Sequence, residues 1–235
     1  MSYADLKAAL TAVDWNQNVA SFLQHPASGQ KAAKANLRIA VWARQLEAAD
    51  VGNPALSFIR EMQSASQLVS VLLGLALYRS AAASMRSMLE AALYYSYFRN
   101  HTAELATLAR GQGYYIDKSG ILAFHKAHTV DYVAVQSLLG VNSKLEKWYG
   151  RMSALIHGQI PGMWTPHLSI ADVKPDPEIE AAAIKCFLEG EEVLHLFFLS
   201  TVGRDLWDDF SSSGKSFLLK GLSKGKKIKL ALDSA

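Results

Sequence analysis

With 235 residues, half of them hydrophobic and 19% charged, the chain can build one large domain or two small ones, and its composition excludes a disordered protein. The single cysteine, Cys186, excludes an internal disulfide and fits a reducing compartment. The formal charge of +3 is uneven. Residues 211–235 carry +5, because Lys215, Lys220, Lys224, Lys226, Lys227 and Lys229 stand against Asp233 alone, and the rest carries −2, so no global basic surface advertises nucleic acid.

The N-terminus has no basic region followed by an apolar run, so it does not read as a signal peptide. Leu6, Leu10, Val13, Val19 and Phe22 roughly follow a helical period, and the run from His25 to Gly29 ends that segment. A second helix fits Gln30 to Ala49, with Leu37, Val41 and Leu46 inward. Gly52-Asn53-Pro54 is a break, and no proline then interrupts Ala55 to Arg99. That stretch reads as one long helix or two, with Gly74 as kink or close-packing point. Its most apolar part, Leu68 to Leu77, is too short to cross a bilayer.

After Gly111-Gln112-Gly113, shorter helices fit Ile121–His128, Val130–Leu139 and Ser143–His157. Gly158 to Pro177, with four prolines and two glycines, reads as a long loop. Asp176-Pro177-Glu178 is a strong helix start, with a cap, a proline at the first position and an acidic first turn. The last long helix is expected to run to about Phe210 and to stop at Ser211-Ser212-Ser213-Gly214. The expectation is an all-α, soluble, cytoplasmic protein. Residues 1–210 form a single-domain bundle of about seven to eight helices, and residues 211–235 form a basic tail able to bind nucleic acid or another anion.

Two constellations carry chemistry. Tyr149, Ser153 and His157, spaced by four, share one helix face, and Gly158 can stop that helix just after the histidine. Arg151 lies six residues before His157, hence about 120° away around a straight helix. The two converge if the helix starts near Gly150 or if a second subunit completes the site. The plain alternative is a histidine resting on a helix C-terminus and hydroxyls bonded to backbone. Arg79, Arg86 and Glu90 share a face of the long helix. Arg86 and Glu90 make either a register-fixing ion pair or an arginine oriented toward His157, whose planar fork suits phosphate.

Other signals are weaker. His125 and His128 are three apart but lack further ligands of convincing spacing. Ser212-Ser213-Gly214-Lys215-Ser216 only superficially looks like a phosphate loop. Cys186 and the cluster Tyr94, Tyr95 and Tyr97 read as core.

Arg86-Ser87-Met88-Leu89-Glu90 on a long helix, then Tyr149, Ser153 and His157-Gly158, a proline-bearing loop and a last long helix, together resemble the HEPN-like superfamily. The likeness covers about residues 55–210. It is strongest to a branch of uncharacterised bacterial proteins with an R-x-x-x-E helix and a late S-x-x-x-H. The resemblance implies a metal-independent ribonuclease needing no cofactor, acting on RNA from a homodimer in a toxin–antitoxin or antiviral-defence setting. Arg151 and His157, with five residues between them, match its arginine–histidine signature and become the implied catalytic pair. Arg86, Glu90, Tyr149 and Ser153 become auxiliary or phosphate-binding residues. Active members usually have a polar residue after the arginine, where Met152 stands here. The resemblance thus also allows a non-catalytic helical interaction module partnering a protein encoded nearby.

Overall fold

The computed structural model describes residues 1–24, 26–111, 113–230 and 232, and every regular element among them is helical. The order is α1 (Tyr3–Ala12), α2 (Trp15–Gln24), α3 (Pro26–Ala49), α4 (Leu56–Gly74), α5 (Tyr78–Phe98), α6 (Thr102–Ala109), α7 (Lys118–His128), α8 (Tyr132–Leu139) and α9 (Val141–Ile156), followed, after a 3₁₀ turn at Ile170–Asp172, by α10 (Pro177–Ser200), α11 (Val202–Leu206), a second 3₁₀ turn at Trp207–Asp209, α12 (Ser212–Leu218) and α13 (Lys224–Leu230). No described helix is long and apolar enough to cross a membrane.

The helices outnumber the seven or eight expected because the backbone turns where the apolar period continues. Val13 is extended and divides the first segment. Between α4 and α5, the Leu77 N–H donates to Leu72 O (2.8 Å) and the Ala76 N–H to Leu73 O (3.0 Å), with Ala76 left-handed at φ 59°. This is a Schellman stop. Its usual glycine is replaced by a buried alanine, so the sequence gives no warning of it. Gly74 ends α4 here and serves as a close-packing point under Phe22 and Val19 of α2. The helix expected to reach Phe210 stops at Thr201, whose φ of −127° and ψ of −112° break the ladder.

α4 and α5 fold back on each other, α3 and α10 pack on that hairpin, and α9 lies against α5 and α10. Trp42, Tyr95, Phe197 and Phe198 are fully buried in the resulting core. The Trp42 indole N–H donates to His195 Nδ1 (3.0 Å), and burial pushes His195 down to about 3, so it is a neutral core group. Leu37 of α3, expected inward, is half exposed, and Leu6 and Leu10 of α1, though on the helical period, are exposed.

The start of α10 matches the sequence reading. Asp176 Oδ1 accepts from the N–H groups of Glu178 and Ile179 (3.0 Å each), with Pro177 at the first position. Asp176→Ala is expected to cost about 1 kcal/mol, a fall of about 2–4 °C in a thermal melt.

Residues past 210 do not form the expected separate tail. Ser211 caps α12, accepting from the Gly214 N–H, and its own N–H donates to the buried Gln45 Oε1 (2.8 Å). Leu218, Leu219, Leu230 and Leu232 belong to the main core. Lys220, Lys224, Lys226 and Lys229 remain exposed on this anchored segment, while Lys215 and Lys227 are half-buried.

Candidate active site

α5 presents Arg86 and Glu90 on one face because they are one helical turn apart. α9 presents Tyr149 on the side that packs against α5, and His157 caps its C-terminus. The four side chains meet. Arg86 Nε donates to Glu90 Oε1 (2.8 Å), and Nη2 donates to the Tyr149 hydroxyl (2.7 Å), which in turn donates to Glu90 Oε1 (2.6 Å). Arg86 Nη1 lies 3.2 Å from His157 Nε2. A guanidinium only donates, so in this contact Nε2 is the acceptor.

The Arg86 guanidinium also sits 4.7 Å from the Tyr149 ring centroid, and Lys118 Nζ lies 5.2 Å from the same centroid. Burial of Arg86 works against its charge, but Glu90 and Tyr149 outweigh that and hold it more firmly protonated. Burial, and then Glu90, push the Tyr149 hydroxyl up to about 12, so it stays a neutral donor to Glu90. Three of the five guanidinium N–H groups are committed within this cluster, leaving two to meet an incoming anion.

The backbone after α9 supports the placement of His157. Its N–H donates to Ser153 O (2.9 Å), and Arg79 Nη2 donates to Ile156 O (2.8 Å), tying the helix end to α5. Gly158 follows with φ 68°, and a Cβ there would lie 3.5 Å from Arg79 Nη2. Glycine thus supplies the left-handed stop after His157.

Arg151 takes a different course. α9 runs unbroken from Val141, so it does not start near Gly150, and the 120° divergence stands. Arg151 pairs with Glu189 of α10, beside Lys147 and Lys185. Within one chain, Arg86 occupies the position against His157 that the local arginine–histidine spacing suggested for Arg151. Ser153 contributes its carbonyl to the helix end, not its hydroxyl to the cluster. Met152 is buried in the core, which accounts for its apolar side chain.

His125 is a satisfied core histidine. Its ring nitrogens lie 2.8 Å from Thr129 Oγ1 and 2.9 Å from Ser96 Oγ, and burial pushes it down to about 4. Burial also pushes the Cys186 thiol up to about 11, as suits a core cysteine. Lys118, Tyr115 and Asp117 border the cluster and had no signal in local spacing. They arrive because α7 packs on α5. Comparison of the chain with protein-family models, curated proteins and solved structures found no match, and the geometry of α5 and α9 alone carries the functional argument.

Proposed function

We propose that the protein is a metal-independent endoribonuclease of the HEPN type in which Arg86 and His157 form the working pair. The carrying observation is the 3.2 Å approach of Arg86 Nη1 to His157 Nε2. In this reading RNA displaces that contact. His157 Nε2 takes the proton of a 2′-hydroxyl, whose oxygen bonds to the adjacent phosphorus as the P–O5′ bond breaks, the leaving oxygen takes a proton from water, and His157 later returns its proton to the solvent. The products are a 2′,3′-cyclic phosphate and a 5′-hydroxyl. Arg86, its planar guanidinium oriented by Glu90 and Tyr149, stabilises charge on the phosphoryl oxygens with its uncommitted N–H groups. A toxin or antiviral-defence role, and a homodimer, belong to the same proposal.

The test is incubation of purified protein with total RNA in EDTA, scored for cyclic-phosphate ends. Wild type and Arg151→Ala are expected to cleave. His157→Ala is expected to lose at least about 100-fold, and Arg86→Lys, which keeps the charge but not the fork, about as much. Full activity in His157→Ala would remove it from the mechanism.

A second reading has its own observation. The closed ring of Arg86, Glu90 and Tyr149 is also what a static clasp between α5 and α9 would use, as in a non-catalytic interaction module. An inactive wild type that co-purifies with the product of an adjacent gene would favour it.

A further inference from the structure

A cleft opens beside the Arg86 cluster, and the residues on its far side, toward α7, have no part in that mechanism. It encloses about 250 Å³ between α5, the start of α7 and the segment before it, and Arg86, Glu90, Tyr94, Tyr115, Asp117 and Lys118 are among its walls. That volume lies just below the range of about 300–1,000 Å³ usual for drug-sized ligands and suits a single ring system. Tyr115 stands at 73% exposure in irregular backbone, an aromatic face with little of its surface covered. Tyr94 is held from behind by Phe58 and Phe98, with ring centroids 5.4 and 5.7 Å away, so its side of the cleft is rigid.

The polar groups are specific in kind. Asp117 spends Oδ1 on the Gly120 N–H (2.7 Å), and Glu90 spends Oε1 on both Arg86 and Tyr149. Each carboxylate keeps its second oxygen as an acceptor, and the Lys118 ammonium, which spends one N–H on Glu146 of α9, keeps two further donors. An aromatic platform, carboxylate acceptors and one ammonium donor complement a base edge with adjacent N–H donors next to a carbonyl. Guanine has that edge, and uracil offers only one donor between two carbonyls.

We infer that this cleft is a nucleobase subsite selecting guanine in single-stranded RNA, stacking it on Tyr115 while Arg86 and His157 hold the neighbouring phosphate. The inference rests on the ribonuclease reading of that pair. Base–aromatic stacking and edge recognition of unpaired bases are the usual means of reading single strands.

The test is calorimetric titration of the full chain with guanosine and uridine monophosphates, run beside the RNA assay in EDTA. Guanosine monophosphate is expected to bind about tenfold more tightly than uridine monophosphate, on the scale of one lost base-edge pairing. Tyr115→Ala, at an exposed position, is expected to weaken both about tenfold. Asp117→Asn keeps an equally good helix cap and is expected to erase the preference while leaving uridine monophosphate binding in place. Equal binding of the two nucleotides, or no effect of Tyr115→Ala, overturns the subsite. If the guanine preference holds while wild type leaves RNA intact, the subsite stands and the ribonuclease reading alone fails. If RNA is cut without discrimination between the nucleotides, the subsite alone fails.

Discussion

Arg38→Ala will lower the stability of the protein by about 3 kcal/mol at neutral pH, and the loss will shrink on acidification. Arg38 on α3 grips Glu191 on α10 with two parallel contacts, through Nε to Oε1 and through Nη2 to Oε2. Glu191 is only 4% exposed. Removing one partner of a buried pair leaves a desolvated charge and typically costs about 3–5 kcal/mol. The lower end applies because the Arg38 side chain is 26% exposed and water reaches it.

The pH dependence follows from Glu191. Burial pushes its carboxyl up, and Arg38 only partly offsets this. A carboxyl raised in the folded state contributes stability fully present below its unfolded value, near 4.3, and lost as pH rises through the folded value. Without Arg38 the folded value rises further and the loss at neutral pH grows. Urea unfolding at pH 5 and pH 7.5 reads this directly. An equal deficit at both would show that Glu191 is not the desolvated group. Replacing both partners, as Arg38→Met with Glu191→Leu, is expected to restore most of the stability, because no charge is then left buried.

Gly190→Ala will cost about 2 kcal/mol, although alanine is the better helix former. Gly190 lies within α10 where Trp148 of α9 crosses it. A Cβ there would sit 2.5 Å from Trp148 Cζ2 and 2.7 Å from Cε2. The indole cannot simply swing away, because it is buried and its N–H donates to Cys186 O (2.8 Å). Overpacking of this kind costs about 1–3 kcal/mol or more, against a gain of up to about 1 kcal/mol in helix propensity. The melt should fall by about 4–8 °C. Trp148 directly precedes Tyr149, so the same change is expected to disturb the Arg86 cluster. A double-mutant cycle with Trp148→Phe gives the check: the two changes should be less than additive, since the smaller ring makes room for the methyl group. Strict additivity would mean that the two residues do not collide.

The all-helical class, the Asp176 start of α10, the Gly158 stop after His157 and the buried Cys186 follow from composition, period and cap chemistry, which act over a few residues. The breaks at Ala76 and Thr201 do not, because neither residue type favours the conformation it adopts and only packing holds it there. Leu6, Leu10 and Leu37 show the converse: an apolar period marks which face a helix can bury, while the neighbours decide whether anything covers it. The candidate site divides in the same way. The pairing of Arg86 with Glu90, and of Tyr149 with the helix end at His157, is legible in spacings of four and eight. That Arg86, 71 residues before His157, is the arginine that reaches it, while Arg151 turns to Glu189, depended on how α5 and α10 pack against α9. Helix periodicity fixes directions around one axis, and contact between axes is set by the tertiary fold.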